Sequence, residues 1–282
     1  MLTRLSTFVL ALVLLTSTGC ETVSSMLSGM DKPSASISGV RLQGLTLDSA
    51  TLVFDVDVKN PYTVPLPLVN VAYGLSSKGS KFLDGTADVQ GSVPAKGSKT
   101  IQLPATVAFA SLLKSVQGVK LGSVVPYTAE MGLSVDAPAV GRLTLPIKKE
   151  GELPIPTVPS VDLQSVQWKN LSLQNAEAVL KLNVVNNNDF PVDLSKIAYS
   201  LSLSDTQIIS TSLGKAAAFS KGGSATLDIP ISLKPANLGL AAFNMLTGKG
   251  AGYSINGLMD VTTPFGPMGL PFERKGNTVF VK

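Results

Sequence analysis

Thr51-Leu52-Val53-Phe54-Asp55-Val56-Asp57-Val58-Lys59 alternates, with Phe54, Val56 and Val58 on one side and Asp55, Asp57 and Lys59 on the other. A period of two over nine residues predicts a half-buried β-strand. The stretch Ala178-Val-Leu-Lys-Leu-Asn-Val-Val185 repeats the pattern, with Leu180, Leu182 and Val184 inward, 126 positions after the first. Working outward, the same spacing relates Leu45 to Leu171, Leu68 to Leu194, Ala72 to Ala198, Gly97 to Gly223 and Tyr127 to Tyr253. Near the ends the offset slips to 125, where Leu145-Pro146 meets Leu270-Pro271. The chain therefore holds two copies of one module.

A unit of this length is too long for a solenoid repeat of roughly 20–50 residues and long enough to bury a core of its own. The reading is one domain over 36–151 and a second over 160–282. Further short strands are predicted at 40–47, 69–76, 86–93, 99–107, 127–135 and 141–147, with counterparts in the second copy. Turn-forming Gly, Pro, Asn and Ser separate them at short intervals, the pattern of an antiparallel sandwich. Each copy also carries one apolar stripe at helical spacing: Phe109, Leu112, Leu113 and Val116 in the first, Leu238, Ala241, Ala242 and Met245 in the second. The expected architecture is mostly β: two tandem immunoglobulin-like or fibronectin-III-like sandwiches, each with one short α-helix. Between them, residues 152–159 contain three prolines, which predicts an extended, semi-rigid spacer holding the domains at a preferred separation without fusing them.

Residues 1–19 join Arg4, an apolar run from Phe8 to Leu15 and the small-residue exit Thr16-Ser-Thr-Gly19. That is the layout of an export signal and is too short for a mature membrane span. Cys20, the only cysteine, follows directly. The segment resembles a bacterial lipoprotein signal, although Ser17 stands where leucine is usual. The resemblance implies that Cys20 is diacylated through its sulfur, with palmitate-like chains, and becomes the first mature residue. More than one acyl chain gives stable membrane attachment. Glu21 after the cysteine resembles the pattern of lipoproteins sent to the outer membrane, facing the periplasm. Residues 20–35 read as a flexible tether.

Net charge is +4, and only 15% of residues are charged, with both signs interspersed. Nucleic-acid binding needs a concentrated basic face, so no nucleic-acid partner is expected. Histidine is absent, which excludes Ser–His and Cys–His nucleophile systems and His-ligated metals. No phosphate-binding loop motif occurs, no cofactor is implied, and the chain reads as non-enzymatic. Asp55 and Asp57 share a strand face and admit a calcium or paired-carboxylate reading. The second copy puts Lys181 and Asn183 there, which favours a solvated face. The sole tryptophan, Trp168, reads as core or domain-edge packing.

Asn60-Pro61, then Pro65-Leu66-Pro67-Leu68, Tyr73, Gly97-Ser98 and Pro104 form an ordered set that resembles the late embryogenesis abundant type 2 family. Its module is known as the water stress and hypersensitive response (WHy) domain. The second copy keeps Asn186, Pro191, Leu194, Tyr199, Gly223-Ser224 and Pro230 but has Asn187-Asn188-Asp189 in place of Pro61-Tyr62-Thr63. Most of these residues read as scaffold. Asn60 and Pro61 would end a strand and open a turn. Tyr73 and Tyr199 would bury the ring with the hydroxyl near an edge. Pro104 and Pro230 would mark edge strands or bulges. The resemblance implies a stress-protective protein that shields protein clients or membrane surfaces under desiccation. The alternative is a periplasmic binding or adaptor module for a protein, peptidoglycan or lipid, since strand addition at a sheet edge needs no special side-chain motif.

Overall fold

The computed structural model describes residues 31–138, 140–172, 174–203, 206–234 and 251–278. The first domain runs β1 (Ser34–Gln43), β2 (Ser49–Lys59), β3 (Leu66–Ser77), β4 (Ser80–Asp88), β5 (Ser92–Val93), β6 (Ser98–Ala108), α1 (Phe109–Ser115), β7 (Val124–Ala137) and β8 (Gly141–Pro154). The second runs β9 (Ser160–Leu171), β10 (Ala176–Val185), β11 (Val192–Leu203), β12 (Thr206–Phe219), β13 (Ser224–Leu233), β14 (Ala251–Thr263) and β15 (Gly266–Thr278). Both are antiparallel sandwiches with the same wiring. A sheet in the order β1-β2-β6 faces one in the order β4-β3-β7-β8, with β5 on β3; the second domain repeats this as β9-β10-β13 over β12-β11-β14-β15. Three strands on four, joined in this order, is the fibronectin-III-like arrangement expected from the sequence.

The alternating stretch decides which face turns inward. Phe54, Val56 and Val58 have no exposed surface, and Leu180, Leu182 and Val184 are at most 2% exposed. Burying each such side chain stabilises by about 1.5–3 kcal/mol. The cores are separate: one gathers Ile37 through Ile155, the other Val161 through Phe272.

The two copies share irregularities as well as strands. Three bulges recur at matching places: at Ser38 and Gln164, at Val69 and Ser195, and at Phe82 and Ile208. The slip in offset from 126 to 125 also has a physical site. The β7–β8 connection closes between Ala137 and Gly141, whereas β14–β15 closes between Thr263 and Gly266 with only Pro264 and Phe265 between them. The second hairpin is one residue shorter than the first.

Three details depart from expectation. The strand expected at 86–93 is split, because Gly91 takes φ +97° and separates β4 from β5. Helix α1 buries Phe109 and Leu112, and Val116 caps it by donating to the Leu112 carbonyl, while Leu113 stays partly exposed. The second helix candidate, Leu238 to Met245, lies outside the described residues, as does Cys20. Most consequential is the spacer. β8 continues to Pro154, and Ile155 is fully buried in the first core, so little of 152–159 is free to act as a separator.

Candidate functional site

The motif asparagines build the same corner twice. Asn60 follows β2; its backbone N–H donates to the Gly97 carbonyl at 2.9 Å. Its Nδ2 donates to the carbonyls of Val64, Val93 and Pro94 at 2.8, 3.2 and 3.0 Å, and its Oδ1 accepts from the Tyr62 amide at 2.9 Å. Asn186 donates its N–H to Gly223 and its Nδ2 to Phe190 and Ser220, and accepts from the Asn188 amide at 3.0 Å. Both side chains are buried, which is tolerable because their polar atoms are bonded. Pro61 follows Asn60 and has no N–H to satisfy. Pro65 and Pro191 lie exposed just before β3 and β11. Pro104 and Pro230 stand exposed in the edge strands β6 and β13, opposite Val53 and Val179.

The two motif tyrosines occupy equivalent places but differ in surroundings. Tyr199 is buried and its hydroxyl lies 3.5 Å from the Pro230 carbonyl. Tyr73 is half-buried and lies across Gly85, its cross-strand partner, so closely that a Cβ on Gly85 would fall 2.6 Å from its hydroxyl. Tyr127 covers Gly151 in the same way and packs edge-on against Phe54 at 6.5 Å; burial pushes its phenol pKa up.

Where the second copy departs from the first, its corner becomes a joint between domains. Asn188 Oδ1 accepts from the Thr157 amide at 2.8 Å, and its Nδ2 donates to the Thr157 carbonyl at 3.2 Å. Asn187 Nδ2 donates to the Val158 carbonyl at 3.0 Å and to Ser160 Oγ at 2.9 Å. The Asp189 amide donates to the Gly122 carbonyl at 2.6 Å, and the Gly122 amide donates to Ile155 at 2.7 Å. Gly122 sits at φ +85°, and a Cβ there would run into the Asn187 carbonyl. Apolar groups complete the seam. Leu45, Leu47 and Val124 of the first domain pack against the second core, where Phe190 and Phe265 meet edge-to-face at 5.4 Å. The domains are stacked end to end in direct contact, in place of the separation expected from the prolines.

Beside the seam lies a cleft of about 370 Å³. Val40, Leu42, Leu52 and Tyr127 supply apolar wall, Lys149 to Glu152 a polar edge, and the Pro264–Phe265 turn of the second domain closes one side. Both domains line this cleft. Asp55 and Asp57 are used otherwise. Arg41 donates to Asp55 from NH2 at 2.9 Å and from Nε at 3.2 Å, and this bonding holds the carboxyl below its ordinary range. Thr100 Oγ1 donates to Asp57 at 2.5 Å. Among the described residues no group of three or more metal-ligating side chains forms. Trp168 pairs in register with Ala178, and its side chain lies outside the described residues. Gly122, Asn187, Asn188 and Phe265 were not singled out from sequence; the one available signal was that residues 187–189 break the repeat.

The profile of the family described as late embryogenesis abundant protein (LEA_2) matches residues 55–151 and again 181–276. The chain belongs to the late embryogenesis abundant type 2 family. Both stretches begin and end at equivalent points of the two sandwiches. This LEA type 2 protein is 30% identical over 136 residues to a desiccation protectant protein Lea14 homolog of Glycine max, a match covering 48% of this chain and 90% of the relative. It is 29% identical over 139 residues to late embryogenesis abundant protein Lea14-A of Gossypium hirsutum, covering 49% and 92%. The solution structure of AT1g01470 from Arabidopsis thaliana matches at 30% identity and a TM-score of 0.39, over 45% of this chain and 85% of that one.

Proposed function

We propose that this LEA type 2 protein protects proteins or membrane surfaces of the cell envelope during water loss, without chemical turnover, while acylated Cys20 holds it at a membrane. The observation that carries the reading is the family module, present twice and similar to relatives named for desiccation protection. A physical property of the fold supports it. The buried corner amides Asn60 and Asn186 are bonded to the chain's own backbone, so withdrawing water does not strip these groups of partners.

The test is a drying and rehydration assay. Residues 21–282 are mixed with an unrelated labile enzyme, with albumin as the control. Protection exceeding that of albumin at low molar ratio is expected, and equal or lower protection overturns the reading. One observation favours a second reading: the cleft beside the seam is walled by both domains, as a ligand-binding adaptor would require. Native mass spectrometry of the same sample separates the two, since a retained lipid or peptide would point to binding.

A further inference from the structure

We propose that the pole of the first domain remote from the second, around Val64 and Val140, seats on an anionic phospholipid surface. This rests on the acylated Cys20 of the preceding reading. The argument starts from the repeat. Val64 and Val140 occupy the places that Phe190 and Phe265 hold in the second domain, at the offsets of 126 and 125. There the two rings pack together, and Phe265 closes the cleft against the first domain. In the first domain nothing described covers the equivalent pair, and Val64 and Val140 are 45% and 43% exposed. The module thus presents apolar residues at this pole in both copies, and only one copy has a domain beneath it.

The path of the chain indicates what lies beneath the other. Ser34 pairs with Lys59, immediately before the Asn60 corner, so the N-terminal segment enters at this pole. The second domain leaves from the opposite one. Thirteen residues lie between Cys20 and Ser34; a chain of that length spans at most about 50 Å, and a random coil of it about 20 Å. An acylated Cys20 therefore holds this pole nearer to the bilayer than the seam. Charge is complementary to anionic headgroups: Lys32, Lys59, Lys96 and Lys99 outnumber Asp31, Asp57 and Asp88, and Arg142 is taken by Asp136. Two valines are too small an apolar surface to bind lipid alone, but the tether makes the contact intramolecular, so a weak seat is populated.

The test uses the full-length lipoprotein in vesicles of phosphatidylglycerol and phosphatidylethanolamine. Val64→Cys, Val140→Cys and, at the far end of the second domain, Lys234→Cys are each labelled with an environment-sensitive fluorophore. Both valine sites are exposed enough to accept the change, and acylation leaves the new cysteine as the only free thiol. Quenching by spin-labelled lipid several-fold stronger at 64 and 140 than at 234 is expected. Equal, weak quenching at all three overturns the seat. A blue shift at 64 and 140 without lipid quenching also overturns it and indicates a second copy of the chain. The intact mass distinguishes the two failures: a mature protein without acyl mass removes the anchor and the seat together, whereas acyl mass with no quenching removes the seat alone.

Discussion

Asn188 holds Thr157 by both backbone polar groups, accepting from its amide at 2.8 Å and donating to its carbonyl at 3.2 Å. One buried side chain thus fixes the chain as it leaves the first domain and donates to Asn186 Oδ1 at 3.0 Å as well. The joint between the domains is therefore an extension of the corner that organises each of them.

Asn188→Ala should free this joint. Leaving the Thr157 amide and carbonyl without partners costs about 1–3 kcal/mol. Small-angle scattering should show a broader spread of interdomain distances than in the parent protein. Unchanged scattering with unchanged stability would mean that the apolar seam alone sets the arrangement.

Gly122→Ala attacks the same joint from the first domain. The φ of +85° disfavours any Cβ, and this one would meet the Asn187 carbonyl, a backbone atom with little room to retreat. Limited proteolysis within 152–159 should become faster, while Gly141→Ala, also at positive φ but with open space around it, should leave that rate unchanged.

Asn60→Ala and Asn186→Ala should each destabilise their own domain by about 2–3 kcal/mol, since several backbone groups lose a buried partner at once. In urea unfolding the affected transition should move down by roughly 1 M. Asn60→Asp should not rescue it, because a carboxylate cannot donate to the carbonyls of Val64, Val93 and Pro94. A fully stable aspartate variant would contradict the assignment.

Alkaline pH should destabilise both domains through their buried tyrosines. Burial raises the phenol pKa of Tyr127 and Tyr199 in the folded state. A raised folded value means that the stability is fully present below the unfolded phenol value of about 10 and is lost as pH climbs through the folded value. Tyr127→Phe should therefore flatten the fall in melting temperature of the first domain above that pH. An unaltered alkaline limb would remove Tyr127 from the account.

Cys20→Ser should move the protein from the membrane to the soluble envelope fraction while both domains remain folded. Continued sedimentation with membrane would overturn the lipid anchor.

The sandwiches were legible because their strands have one wet face: period two survives in Phe54 to Val58 and in Leu180 to Val184 without help from distant residues. The corner was legible for a similar reason, since Asn60 and Asn186 bond groups only a few residues away as well as across the turn. The joint was not. Asn188 meets Thr157 and Gly122 meets Asp189 through sequence separations that no local pattern reports. The difference between Tyr73 and Tyr199 was hidden because it depends on register, with Gly85 opposite one and Thr211 opposite the other. The prolines of 152–159 suggested an open spacer because propensity describes a lone segment, whereas Ile155 is drawn into the first core.

The bulges at Ser38 and Gln164, at Val69 and Ser195, and at Phe82 and Ile208 carry a historical meaning. Only the last pair, Phe82 and Ile208, is alike in being large and apolar, and none is identical, yet the extra residue falls at the same step of the same ladder each time. A bulge re-aims the side chains beyond it, so moving one would exchange inner and outer faces along the stretch it crossed. The ancestor that was duplicated already had its three bulges, and its two descendants have since been free to change the residues there but not the places.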